Sequence, residues 1–216
     1  MAGFDMPDLA KQRLRGKFEA AVLDAGQETT HRQFGAHKAA ALGAMSGTIV
    51  ELGPGTGVNL RYYAPGVQVI GIEPNPMMHD RLRAKAAAAE ISLEIRMLRG
   101  EALDVDDSVV DGVVGTLVLC GVDDPLRVLD EVQRVLRPGG TYFFIEHVAA
   151  PDGTRTRSVQ RVVKRPHRWL FNGCEIDRST EDLITSAGFS QVHVERIDIG
   201  VRGGHVRHFI AGTAVR

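Results

Sequence analysis

Cysteine is scarce in this 216-residue chain: Cys120 and Cys174 are the only two, too few for a disulfide framework, so a reducing cytoplasm is the expected setting. Charge of one sign is missing as well. A formal net charge of −1 lacks the basic excess of a general nucleic-acid binder. No apolar run approaches the roughly 18 to 20 residues that span a bilayer, which speaks against stable membrane insertion. Residues 1–8 carry two acids and a proline, unlike a basic-then-apolar signal peptide. Linkers, repeats and low-complexity segments are absent, and no spacing indicates a metal-ligand set. These absences leave a soluble cytoplasmic protein with one domain over residues 1–216: an N-terminal helical lid at 1–45 and an α/β core at 46–216.

The patterning fills in that core. Residues 9–44 are polar and alanine-rich, with Leu14, Phe18, Val22 and Leu23 at helical spacing, which predicts one or two helices. Strands are expected at 48–52, 68–73, 92–98, 109–119, 141–148, 191–196 and 206–214. Helices are expected from Val58, over 76–90, over 125–136 and over 179–187. Pro125 near a helix start and Pro138-Gly139-Gly140 past its end are the expected punctuation. Strand–helix alternation ending in a strand pair describes a doubly wound α/β sheet of seven strands with an antiparallel strand near one edge. Ligands on such sheets bind at the carboxyl ends of the strands.

One turn at such an end is richest in information: Glu51-Leu52-Gly53-Pro54-Gly55-Thr56-Gly57, followed by Glu73 about twenty residues on. Glycine at 53, 55 and 57 allows a tight turn and close approach of a ligand. The turn suits either a dinucleotide or S-adenosylmethionine. Glu51 would repel a pyrophosphate and favour an α-ammonium, directly or through water. Glu73 can accept hydrogen bonds from ribose hydroxyls of either cofactor and disfavours a 2′-phosphate. After the third strand, Gly100-Glu101-Ala102 places a carboxylate and the Ala102 N–H where an adenine amino group and ring nitrogen could meet them. Thr116-Leu117-Val118-Leu119-Cys120 ends the fourth strand at the same crevice.

Taken together, these residues resemble the class I S-adenosylmethionine-dependent methyltransferases. The segment 51–57 is similar to their first motif, Gly71-Ile72-Glu73-Pro74-Asn75 to their ribose-binding strand end, and Arg134-Val135-Leu136-Arg137-Pro138-Gly139-Gly140 to the helix and turn before their fifth strand. A closer likeness is to the thiol S-methyltransferase, or methyltransferase-like 7, branch. It rests on 116–120, 137–140, Glu146-His147-Val148-Ala149-Ala150 and Leu170-Phe171-Asn172-Gly173-Cys174. The resemblance implies a Rossmann-like fold, S-adenosylmethionine as methyl donor, a small-molecule acceptor with thiol sulfur favoured, and Asn59, Pro74 and Met77 beside the donor. Animal members begin with a hydrophobic anchor where this chain has a polar helix, so membrane attachment does not carry over. The alternatives are C- or O-methylation of a quinone or phenol, N-methylation of a lipid amine, a donor-binding protein without turnover, and a nicotinamide dehydrogenase.

On the acceptor side, a thiol needs modest help to ionise near neutral pH, whereas a hydroxyl needs a real base. His147, at the end of the fifth strand, is the candidate base or thiolate-stabilising group. Cys120 and Cys174 read as small apolar fillers rather than redox or nucleophilic groups. His31 and His37 read as a solvated helix face rather than a lid lining. The basic stretch Arg155, Arg157, Arg161, Lys164, Arg165 and Arg168 reads as a solvated face with Val159, Val162 and Val163 turned inward, rather than as a cap drawing in an anionic substrate.

Overall fold

The computed structural model describes residues 13–170, 173–199 and 208–216. The side chains of Leu14, Phe18, Val22, Leu23 and Leu170, the residues Phe171 and Asn172, and the expected strand start at Val206 lie outside the described residues.

Seven strands form one sheet: β1 (Thr48–Leu52), β2 (Gln68–Ile72), β3 (Ser92–Arg96), β4 (Val110–Thr116), β5 (Leu136–His147), β6 (Gln191–Asp198) and β7 (His208–Val215). Their order is β3-β2-β1-β4-β5-β7-β6. The first five run parallel, and β7 pairs antiparallel with both β5 and β6. Strand order reverses where β1 lies between β2 and β4, the switch point at which such sheets open a crevice.

Period-2 alternation gives the sheet two apolar faces. On β5, Tyr142 and Phe144 enter the core beneath helices α3 (Pro125–Val135) and α5 (Thr180–Ser186), while Phe143 and Ile145 enter the opposite core. Helices α1 (Arg13–Gly43) and α2 (Pro76–Ala88) cover that opposite face, where Phe34 and Leu42 of α1 and Leu82 of α2 are buried. Both α2 and α3 start where local chemistry dictates. Asn75 and Asp124 accept hydrogen bonds from the N–H groups of Met77 and Arg127, with Pro76 and Pro125 just inside the helix. In α3, Val128, Leu129, Val132 and Val135 are fully buried, each contributing about 1.5–3 kcal/mol of transfer free energy. Leu129→Ala would remove about 2–5 kcal/mol.

Several expectations are corrected. The helix expected from Val58 is a single 3-10 turn, Leu60–Tyr62, closed off by Pro65-Gly66. No helix stands between β3 and β4, where none of the expected helices fell. Of the one or two helices expected near the N-terminus, the described residues form one, α1. β4 ends at Thr116 rather than running to 119, because Leu117 turns the chain with φ +60°. β5 begins at Leu136, directly from α3, and passes Gly139 at φ +77°. Helix α4 (Arg155–Leu170) turns Gln160, Val163 and His167 inward, while Val162 is 80% exposed and Val159 38% exposed. The expected inward face was therefore one step out of phase. Its basic side chains pair locally: Arg157 and Arg161 with Asp152, Lys164 with Asp177, and Arg168 with Glu175.

Candidate active site

Because β1 to β5 are parallel, the segments that follow them share one edge of the sheet. The glycine turn follows β1, Glu73 and Pro74 follow β2, Gly100–Ala102 follow β3, Leu117–Cys120 follow β4, and His147 ends β5.

In the first turn Gly53, Gly55 and Gly57 take φ of +55°, +56° and +84°, the left-handed region that glycine alone enters without strain. The turn is also packed too closely for a side chain at 57, where a Cβ would lie 2.9 Å from Leu60 Cδ1. The Gly55 N–H donates to Glu73 Oε2 at 2.9 Å, and the Asn75 N–H to Glu73 Oε1 at 2.8 Å. Glu73 thus ties the glycine turn to the start of α2, and a ribose would add to or replace these bonds. Met77 flanks that start, and Gly16 of α1 sits over it, where a Cβ would meet Asn75 and Met77 side-chain atoms at 2.9–3.2 Å. Helix α1 therefore covers this side of the edge. His31 and His37 pin it down, through Tyr62 at 2.5 Å and Glu195 at 3.1 Å, so neither is a purely solvated group.

Glu51 lies deeper than its expected role requires. It shares a sheet face with Ile49, beneath α1, and is fully buried. Asn59 Nδ2 donates to one oxygen at 2.9 Å and the Tyr63 hydroxyl to the other at 2.8 Å. Burial pushes the Glu51 carboxyl up from its ordinary value, opposed by the Tyr63 and Asn59 hydrogen bonds and by Lys38. Burial likewise pulls the Lys38 ammonium down to about 8, with Glu51 drawing it back up. Glu51 would therefore act on an ammonium through Asn59, which also donates to Thr116 Oγ1 at 3.0 Å and joins β1 to β4.

Two buried acceptors at this edge, Asn59 Oδ1 and Glu101 Oε2, have no hydrogen-bond partner among the described residues. The other Glu101 oxygen accepts from the Asp123 N–H at 3.1 Å, and Arg99 approaches Oε2 only to 3.6 Å. Unpaired buried acceptors call for N–H donors. The amino groups of S-adenosylmethionine are such donors, while a pyrophosphate offers acceptors only. The residues fit the methyl donor. The Ala102 N–H, by contrast, already bonds the Arg99 carbonyl at 3.2 Å and offers no free donor to a ring nitrogen.

The turn after β4 is held by a different device. Glu146, fully buried on β5, accepts the N–H groups of Val118 and Leu119 at 2.9 Å each and of Cys120 at 3.3 Å. Burial pushes the Glu146 carboxyl up to about 7 against those bonds and the nearby His147. Val118 reaches the first turn, its Cγ2 standing 3.1 Å from where a Gly53 Cβ would be, so the two turns are in contact.

Beyond Cys120 three reactive side chains meet. Cys174 Sγ lies 3.5 Å from Cys120 Sγ and 3.3 Å from His147 Nδ1. Both thiols are free and buried. Hydrogen bonding from Cys120 and from His147 and His167 pulls the Cys174 thiol well down, whereas Cys120 is pushed up by sharing that bond and by burial. The segment carrying Cys174 is fastened to the turn by the Glu175 N–H on the Cys120 carbonyl at 2.7 Å and by Arg178 on the Leu119 and Val122 carbonyls. His147 in turn packs edge-on against Phe209, and Phe209 against Phe34 of α1.

Sequence reasoning missed Lys38, Tyr63 and Glu146. For Glu146 a signal existed: a carboxylate closing the apolar run Tyr142-Phe143-Phe144-Ile145. Treating the two cysteines as separate fillers also missed their meeting.

A family model described as a methyltransferase domain matches residues 50–144. The chain is 41% identical over 152 residues to thiol S-methyltransferase TMT1B of Rattus norvegicus, covering 68% of this chain and 62% of that protein. It is 38% identical over 173 residues to thiol S-methyltransferase TMT1A of Homo sapiens, covering 78% and 70%. The chain thus spans only about two thirds of the length of these relatives. Among solved structures, a methyltransferase dependent on S-adenosylmethionine from Thermotoga maritima superposes with TM-score 0.62 at 21% identity, covering 92% of this chain and 97% of that one. At that identity the likeness shows the fold.

Proposed function

Because the chain belongs to the S-adenosylmethionine-dependent methyltransferase family, we propose that it transfers a methyl group from that donor to the sulfur of a small-molecule thiol. The observation that carries the acceptor is the 38–41% identity to proteins named thiol S-methyltransferases, over 68–78% of this chain. When bound, the donor would supply an electrophilic methyl carbon on a sulfonium, open to in-line attack by a thiolate with the donor sulfur leaving as a neutral thioether. Glu73 and Asn75 hold the ribose side, Glu101 the adenine side, and Asn59 with Thr116 the methionyl end. Gly53, Gly55 and Gly57 admit the donor's backbone-close approach, and Pro74, Met77, Gly100 and Leu117 line it. Leu117 and Val118 separate this pocket from the acceptor region.

The acceptor lies on the Cys120–His147–Cys174 side, where His147, as part of that cluster, helps to stabilise its thiolate. A thiol titrates near 8.5 unperturbed, so orienting groups suffice where a hydroxyl would need a strong base. Helix α1, seated on Asn75 and Met77, closes the donor side. No helix among the described residues is long and apolar enough to cross a membrane, and the free buried thiols suit a reducing cytoplasm.

Incubating the chain with methyl-labelled donor and a panel of alkyl and aryl thiols, phenols, quinols and amines tests this. Label is expected on thiols. Label only on phenols, quinols or amines would refute the acceptor. Binding of a nicotinamide dinucleotide with none of S-adenosylmethionine would refute the enzyme class.

A further inference from the structure

Cys120, His147 and Cys174 arrive from the turn after β4, the end of β5 and the segment after α4, and the chain assembles them without any local sequence signal. Their ligand atoms, two Sγ and one imidazole nitrogen, all lie within 4.8 Å of one another. We propose that these three side chains bind one zinc-class divalent ion, leaving a fourth tetrahedral position for the sulfur of the acceptor.

The separations are close to those a metal imposes. Zinc bonds of roughly 2.3 Å to sulfur and 2.0–2.1 Å to nitrogen set a tetrahedral sulfur–sulfur pair roughly 3.8 Å apart and a sulfur–nitrogen pair roughly 3.5–3.6 Å apart. The observed 3.5 Å between sulfurs and 3.3 Å from sulfur to Nδ1 are each within about 0.3 Å of those values, so an ion would be admitted by a small outward shift of the side chains. A pair of packing cysteines has no need to face each other and a ring nitrogen at once. Two thiolates with one imidazole are a soft set that selects zinc over magnesium or calcium. Three protein ligands, rather than four, are the pattern of ions that keep a position for substrate. The supports around the set are rigid: Glu146 fixes the backbone at Cys120, the Glu175 N–H fixes the Cys120 carbonyl, and His167 hydrogen-bonds Cys174. Arg178, bound to the Leu119 carbonyl, supplies positive charge close to a site that two protein thiolates and a third from substrate would make net negative.

The open position extends the thiol reading and rests on it, whereas ion binding does not. A thiol entering that position releases its proton to solvent and binds through sulfur, which keeps a lone pair for the methyl carbon. The ion therefore presents the acceptor as thiolate at neutral pH.

The test uses the full chain, purified reduced, without chelator and without a histidine tag. Elemental mass spectrometry is expected to find about one zinc per chain. The ion should be lost in Cys120→Ser and Cys174→Ser, with S-adenosylhomocysteine affinity retained to show that the fold survives. A metal-free wild type that still binds S-adenosylhomocysteine, or zinc unaffected by both variants, overturns the site. Cobalt replacement gives the second reading: 2-mercaptoethanol should shift the cobalt absorption bands, and ethylene glycol should not. Bands indifferent to the thiol overturn the open position while leaving ion binding and thiol methylation to be judged by their own assays. His167→Gln is expected to keep the ion; its loss there would show a closed four-ligand site.

Discussion

Two turns at the carboxyl edge of the sheet touch each other and are built on opposite principles. The turn after β1 enters the left-handed region three times and uses glycine each time, at 53, 55 and 57. The turn after β4 enters it once, at Leu117 with φ +60°, and uses no glycine. A non-glycine residue there stores about 1–3 kcal/mol of strain, which persists only where surroundings enforce it. Glu146, reaching across from β5 to three successive N–H groups, does the enforcing. One turn is specified by its own residues and the other by a carboxylate 26–28 positions downstream. The glycine-built turn leaves room for a ligand against its backbone. The carboxylate-built turn holds a cysteine where two other reactive groups meet it.

The sharpest way to break this contrast is Glu146→Ala. Three N–H donors lose their partner, and unfolding in urea should show a loss of about 3 kcal/mol or more. Stability within about 1 kcal/mol of wild type would mean the turn after β4 holds itself.

The buried pair behind the first turn gives a pH-dependent effect. Lys38 titrates at about 8 in the folded chain and at 10.5 in the unfolded one, so between those values the unfolded state binds more protons and stability rises with pH. Relative to Lys38→Met, the wild type should therefore gain up to about 3 kcal/mol across that window and lose it as pH falls through 8. Urea unfolding across the window reads it, and a parallel pH dependence in both proteins would contradict it.

Glu73→Ala should weaken donor binding by about 1.5–3 kcal/mol, roughly 10- to 150-fold in Kd. Calorimetry with S-adenosylhomocysteine checks this, and unchanged affinity would remove Glu73 from the donor site. The smallest effect sharpens the comparison directly: Leu117→Gly should stabilise the chain by about 1 kcal/mol, whereas Gly55→Ala should destabilise it. Thermal unfolding that ranks them the other way would mean Leu117 is unstrained.

The same contrast explains what could be read in advance. Strand positions, the sheet class and the glycine turn follow from period-2 runs, proline and glycine punctuation and a carboxylate at fixed spacing, all local signals. The missing helix after Gly57 shows the limit, since a helical pattern of six residues before Pro65-Gly66 supports only one 3-10 turn. The phase of α4 was misread because Val159, Val162 and Val163 pull in different directions, and only tertiary packing on Cys120 and Cys174 selects Val163. The Lys38–Glu51–Tyr63 network and the Cys120–His147–Cys174 triangle depend on register between distant segments, which one sequence does not display.

On the reading proposed above, the two turns are halves of one site, donor on the first and acceptor beyond the second. A crystal structure with bound S-adenosylhomocysteine tests it most directly. Ribose hydroxyls are expected on Glu73, and the thioether sulfur beside Leu117 and Val118 facing the Cys120–His147–Cys174 cluster. A product bound away from the glycine turn, or with its sulfur directed away from that cluster, would contradict it.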